Sequence, residues 1–134
     1  MRRIVIDTNV AVSGFHGGNP RKLLDLWRMG AVVVCVSEAI LQKYREVLGR
    51  FSRFARDTPA FSDRLRDPKH AVFVTPAEPI RAISSDPDDM FLACAVAAQA
   101  DFIVSDDHHL LELGAFRGLR IVSPAEALEL LGEE

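Results

Sequence analysis

The sequence predicts an α/β fold, a three-layer α/β/α sandwich around a mainly parallel sheet of four to five strands. Two observations predict it. Short apolar runs rich in β-branched residues, such as Arg3–Ile6 and Val32–Val36, read as strands buried on both faces. Segments of helical spacing or helix-start chemistry alternate with them, the pattern of helices packed on a parallel sheet. The chain has 134 residues, 49% of them hydrophobic, which suits one domain with a core that needs no staples. Residues 1–134 are therefore expected to form a single domain.

Each element has its own signal. Arg3–Ile6 is the first strand, and Asp7-Thr8-Asn9 puts polar side chains at its carboxyl tip. Gly14–Pro20 reads as a loop broken at Gly17-Gly18, after which Asn19 caps a helix with Pro20 in its first turn and Gly30 stops it. Val32–Val36 is the second strand. Ser37 caps a helix from Glu38 to about Arg50, on which Ile40, Leu41, Tyr44, Val47, Leu48 and Phe51 keep helical spacing. A short helix follows Thr58-Pro59, and Val72–Val74 is a weaker third strand. Pro76–Pro79 and Ser84–Pro87 are loop signals. Asp88 to about Gln99 is a helix of small residues, Phe102–Val104 a strand, Asp107–Leu113 a short helix and Arg120–Val122 the last strand. Ser123, with Glu126 three residues on, caps a terminal helix.

Composition excludes several classes. Cys35 and Cys94 lie in apolar runs without a CxxC pair, as expected of buried thiols in a reducing cytoplasm. The longest apolar stretches, Ala31–Val36 and Met90–Ala98, are far shorter than the roughly 18 residues of a membrane span. The basic start Met1-Arg2-Arg3 precedes a run interrupted by Asp7, which reads as a strand and not as a signal peptide. Net charge is only −3, but it is unevenly distributed. Lys43–Lys69 holds eight basic residues against four acidic ones, whereas Asp86–Glu112 holds seven acidic residues and no Lys or Arg. Carboxylates in one segment suit a divalent cation, and arginines in the other suit a polyanion.

Ligands of open parallel sheets bind outside the carboxyl ends of the strands. Asp7 follows the first strand directly, and Asp106-Asp107 follow Phe102–Val104 by way of Ser105. Asp86, Asp88 and Asp89 stand at the start of the preceding helix. Taken singly, Asp88 and Asp89 suit a helix N-terminus and Asp86 suits a turn before Pro87. Asp7 is harder to explain in that way, because no polar residue is required after a buried strand. Like charges gathered at one edge need a counter-cation, and oxygen ligands without Cys or paired His point to a hard ion, Mg²⁺ or Mn²⁺. Such an ion activates water and neutralises a scissile phosphate, while basic residues position the strand.

Three stretches carry a family resemblance. Ile4-Val5-Ile6-Asp7-Thr8-Asn9-Val10 resembles the opening motif of PIN-domain nucleases. Asp86-Pro87-Asp88-Asp89-Met90-Phe91-Leu92-Ala93 is similar to their third acidic motif, and Ala100–Leu110, with Ser105 two residues before Asp107, to their fourth. The tail Arg120–Glu126 also resembles the end of these domains. The similarity spans almost the whole chain and looks closest to the VapC-like toxins of toxin–antitoxin pairs. The resemblance implies metal-dependent hydrolysis of RNA phosphodiester bonds, a cognate antitoxin partner and a homodimer. It makes Asp7, Asp89 and Asp107 the catalytic, metal-binding carboxylates. Ser105 would orient Asp107, Thr8 or Asn9 would orient Asp7, and Asp86 and Asp88 become residues of the helix start, acting at most from outside the ion's direct ligands.

One position departs from the pattern. The family has a glutamate in the helix after the second strand, where this chain has Lys43. At about 100° per residue, Lys43 lies about 100° from the centre of the apolar face, Glu38 about 120° and Glu46 about 160°, so neither glutamate replaces it cleanly. Lys43 has two readings: it pairs with Asp7 or Asp89 and weakens metal binding, or it reaches out to solvent and leaves three carboxylates. The first makes the chain a catalytically impaired PIN-like module that binds RNA or protein. Arg45, Arg50, Arg53 and Arg56, with Phe51, Phe54 and Phe61 between them, are candidates for RNA contact. Trp27 suits the core or a dimer surface, and His108-His109 suits an exposed helix start or a metal or proton-transfer role. A haloacid-dehalogenase-type phosphatase also has an aspartate after its first strand but wants another two residues later, where Asn9 stands.

Overall fold

A computed structural model describes residues 1–54, 56–76 and 86–132 of the chain. The expected loops at Pro76–Pro79 and Ser84–Pro87 fall largely outside these residues, as do the side chains of Asp86 and Asp88. Six strands form one sheet: β1 (Arg3–Ile6), β2 (Val33–Val36), β3 (Ala71–Phe73), β4 (Phe102–Val104), β5 (Ala115–Phe116) and β6 (Leu119–Val122). Their order is β3-β2-β1-β4-β6-β5, and every pairing is parallel except that of β5 with β6. The sheet thus has one strand more than the four to five expected. β5 is the addition, and two residues on an edge carry no periodicity that a sequence can display.

The described helices are α1 (Thr8–Ser13), α2 (Gly18–Arg28), α3 (Glu38–Leu48), α4 (Thr58–Arg66), α5 (Asp86–Ala98), α6 (His108–Leu113) and α7 (Pro124–Leu130). Serine caps form as their chemistry dictates: Ser37 accepts the Ile40 N–H at 3.3 Å and Ser123 that of Glu126 at 3.2 Å. Two starts differ from expectation. α1 occupies Thr8–Ser13, where no helix is anticipated, because Asp7 ends β1 and at the same time caps the following turn. α2 begins at Gly18 rather than after Asn19, since Gly17 turns the chain at φ 138°, where a side chain is strained.

The apolar runs are buried as read. Ile4, Val5, Cys35, Val36, Ile103 and Val104 have no exposed surface, and α5 lies against β1, β2 and β4 through Leu92, Cys94, Ala95 and Ala98. Small side chains let this helix approach the sheet closely. Trp27 belongs to the core and donates its indole N–H to the His70 carbonyl at 2.8 Å, tying α2 to the segment before β3. Phe54 and Phe61 join Phe15, Trp27 and Tyr44 in an aromatic cluster, leaving Phe51 as the exposed member of the three phenylalanines near the arginines. Both cysteines are free and buried, and burial pushes their thiols up to about 11 for Cys35 and about 12 for Cys94. No described helix is long and apolar enough to cross a membrane.

Candidate active site

The sheet order creates one place where the chain changes direction. From β1 it proceeds outward to β2 and β3, then returns to place β4 on the other side of β1. The crevice outside the carboxyl ends of β1 and β4 is therefore the topological switch point, where open α/β sheets bind ligands. Register decides which residues stand there. Ile6 pairs with Val104, so Asp7 and Ser105 leave the two strands side by side, and the Asp7 N–H continues the ladder to the Val104 carbonyl at 3.0 Å.

Asp7 is buried and tightly held. Its Oδ1 accepts the Val10 N–H at 2.8 Å as the cap of α1, and its Oδ2 accepts the Ser105 hydroxyl in a short hydrogen bond. The Ser105 oxygen in turn accepts the Asp107 N–H at 2.9 Å. The carboxylate of Asp107 caps α6 by accepting the His109 N–H at 2.8 Å. Ser105, itself without exposed surface, thus links the two acidic residues. Besides holding the Asp107 N–H, the Ser105 hydroxyl gives its own proton to Asp7. The described hydrogen bonds to the Asp7 side chain come from Ser105 and Val10, while Thr8 is buried with its hydroxyl unpaired and Asn9 is exposed at the cleft.

Electrostatics at Asp7 run against ionisation. Burial pushes its carboxyl up to about 6; the Ser105 and Val10 hydrogen bonds pull down, and the charges of Asp106 and Asp107 push up again. Hydrogen bonds to a charged group are worth about 1.5–3 kcal/mol each, yet desolvation wins here because the net shift is upward. A carboxylate so placed, with acidic neighbours, is relieved by a bound cation. That is the test a divalent metal has to meet, and Asp7 with Asp107 meets it with oxygen donors suited to a hard ion.

A cleft of about 230 Å³ opens beside them, lined by Asp7 and Asp107, by Thr8 and Asn9 of α1, by Lys43 and Arg50 on the α3 side, and by Met90 and Phe91 of α5. Asp89 is buried in the first turn of α5, immediately before those two residues. Asp7 and Asp107 thus share the cleft lining, while Asp89 directly precedes the lining residues Met90 and Phe91. The three aspartates do not form a closed cage: among the described residues, three potential ligand atoms come within 4.8 Å of one another at His108, His109 and Glu112. A larger hollow of about 710 Å³, lined by residues of α2 and α7, contains none of the sheet-edge aspartates.

Lys43 is half-buried at the cleft, with its Nζ 3.9 Å from Glu46 Oε1. Glu46 also takes Arg50 at 2.9 Å, and Glu38 takes Arg66 at 3.3 Å, so both glutamates of α3 are engaged with cations. Arg45 donates to the Ser62 hydroxyl at 3.1 Å. Arg53 lies over Phe54 and Phe51 at 5.2 Å and 5.7 Å, and Arg56 is exposed. Of the four arginines singled out by sequence, Arg50 alone lines the cleft.

The profile of the PIN-domain family matches residues 3–109, most of the chain and all of the aspartates discussed above. The chain belongs to the PIN-domain family. Two solved structures share its fold. VapBC2 from Rickettsia felis, bound to a DNA fragment from its promoter, is 12% identical with a TM-score of 0.58, covering 90% of this chain and 97% of that one. FitAcB from Neisseria gonorrhoeae is 15% identical with a TM-score of 0.54, covering 91% and 98%. No curated protein matches in sequence. In this PIN domain, Asp7 and Asp107 line the cleft at the switch point, and Asp89 is buried in the first turn of α5.

Proposed function

We propose that this PIN domain is a metal-dependent endoribonuclease, active with Mg²⁺ or Mn²⁺, that hydrolyses RNA phosphodiester bonds as the toxin of a toxin–antitoxin pair. The observation that carries the reading is the buried Asp7 carboxylate, linked through Ser105 to Asp107 at the β1/β4 crevice. Asp7, Asp89 and Asp107 would hold the ion, which when bound supplies water activation and neutralisation of the scissile phosphate. Ser105 keeps Asp7 aimed and dry, and Asp107 is oriented through its own N–H. Arg50 offers the cleft a cation for an adjoining phosphate, while Arg53 and exposed Phe51 extend the surface beyond it. The cognate antitoxin, a homodimer and a cytoplasmic setting follow from the resemblance to VapC-like toxins.

Cleavage of a structured RNA by the purified chain with Mn²⁺ tests the reading, with chelator, Asp7→Asn and Asp89→Asn beside it. Loss of cleavage in all three is the expected result; metal-dependent cleavage that survives both substitutions overturns the site. A second reading, an impaired module that binds RNA or protein, is favoured by Lys43 in the cleft lining. It expects an inactive wild type that still binds RNA or protein, and cleavage in Lys43→Glu.

A further inference from the structure

We infer that His108, His109 and Glu112 form a second metal site, selective for a borderline transition ion of the Zn²⁺ class and separate from the aspartate crevice. His108 and Glu112 are one helical turn apart on α6, so their side chains rise on the same face, and His108 Nε2 lies 3.7 Å from Glu112 Oε1. The ring of His109 is tilted 33° to that of His108 with centroids 4.6 Å apart. One ligand atom from each of the three residues lies within 4.8 Å of the others, the convergence the three aspartates lack among the described residues. Two imidazoles and one carboxylate make the donor set of a tetrahedral ion with one position left for water. Imidazole prefers Zn²⁺, Cu²⁺ or Ni²⁺, whereas an all-oxygen crevice prefers Mg²⁺ or Mn²⁺, so the two sites sort ions by ligand chemistry. All three side chains are exposed, so closing on an ion needs only rotamer changes at the surface.

The site is physically joined to the crevice. The His109 N–H is held by Asp107 Oδ1, so an ion on the two histidines restrains the residue that fixes that carboxylate. The inference does not depend on ribonuclease activity. Its test is calorimetric titration of the untagged chain with Zn²⁺ in saturating Mg²⁺, for wild type, His108→Ala, His109→Ala, Glu112→Gln and Asp7→Asn. Wild type and Asp7→Asn should bind one Zn²⁺ alike. Each histidine substitution should weaken it by at least about tenfold, the smallest loss seen even for residues outside the direct ligands of a metal. Glu112→Gln should weaken it too. As the side chains are exposed, thermal unfolding should be unchanged without Zn²⁺. Absence of Zn²⁺ binding in wild type, or binding lost in Asp7→Asn and kept in the histidine variants, overturns the site.

Discussion

Ser105 donates its hydroxyl to the Asp7 carboxylate across 98 positions of sequence, and both residues leave their strands at the point where Ile6 pairs with Val104. Parallel pairing of β1 with β4 is therefore what sets the donor against the acceptor. Because the same oxygen accepts the Asp107 N–H, removing it unties both acidic residues.

Ser105→Ala should accordingly reduce RNA cleavage and raise the pH at which cleavage reaches half its maximum, since Asp7 loses a hydrogen bond that favours its ionised form. Loss of a buried bond to a charged group costs about 1.5–3 kcal/mol. The same substitution in Asp7→Asn should cost less, because the partner is no longer charged. Urea unfolding of the four proteins in this cycle measures the coupling. Equal costs in both backgrounds would mean that Ser105 acts through packing alone.

The raised Asp7 carboxyl makes a signed prediction for the metal-free protein. Its folded value of about 6 exceeds the ordinary 3.8, so between those values the folded chain holds a proton that the unfolded chain has released. Stability from this group is complete below about pH 4, falls as pH rises, and is lost above about pH 6. Two pH units correspond to at most about 3 kcal/mol. Urea midpoints at pH 4, 5, 6 and 7 should show this decline in wild type relative to Asp7→Asn, whose side chain does not titrate. Mg²⁺ or Mn²⁺ should flatten the decline by relieving the charge. A difference between the two proteins that stays constant with pH would show that Asp7 titrates alike in the folded and unfolded chains, without a raised value.

Tyr44 is fully buried, and its hydroxyl donates to the Ile6 carbonyl, one residue before Asp7. Tyr44→Phe leaves that carbonyl without the donor at the tip of β1. The expected cost is about 1–3 kcal/mol in urea unfolding. Cleavage should fall as well if the tip of β1 aims Asp7. Unchanged stability would mean that water replaces the hydroxyl.

Legibility in the sequence followed the physics of each element. β1, β2 and β4 show as apolar runs because their central residues are covered on both faces, while β6 keeps Leu119, Ile121 and Val122 buried around an exposed Arg120; Ser37 and Ser123 cap helices by local chemistry that a sequence displays directly. α1 was hidden because its six residues are too few for helical periodicity and its cap, Asp7, doubles as the end of a strand. Position marks Asp7, Asp86, Asp88, Asp89, Asp106 and Asp107 as acids at strand and helix ends, and the family resemblance selects Asp7, Asp89 and Asp107 among them, yet Ser105 as the bond between Asp7 and Asp107 exists only through the β1–β4 register. Helical arithmetic placed Lys43 at the margin of the apolar face and Glu46 nearly opposite it, matching a half-buried lysine and an exposed glutamate. The partner of Lys43 was not readable, since an exposed i,i+3 contact competes on nearly equal terms with a buried aspartate.

Lys43→Glu decides between an active and an impaired crevice. The lysine lines the cleft with Asp7 and Asp107 while its ammonium lies 3.9 Å from Glu46, a distance at the limit of an ion pair in a partly exposed setting. Such a pair contributes under about 1 kcal/mol, so substitution should leave the fold intact. Exchanging a cation for a carboxylate beside the crevice changes the local charge by two and favours a divalent ion. Mn²⁺ affinity by calorimetry should rise by about tenfold or more, the equivalent of about 1.4 kcal/mol. Lys43→Gln, which removes the cation without adding a ligand, separates the two causes: an intermediate gain means repulsion by the ammonium, and no gain means that Glu supplies a missing oxygen. If wild type and Lys43→Glu bind Mn²⁺ and cleave RNA equally, Lys43 turns away from the crevice in solution and three aspartates suffice.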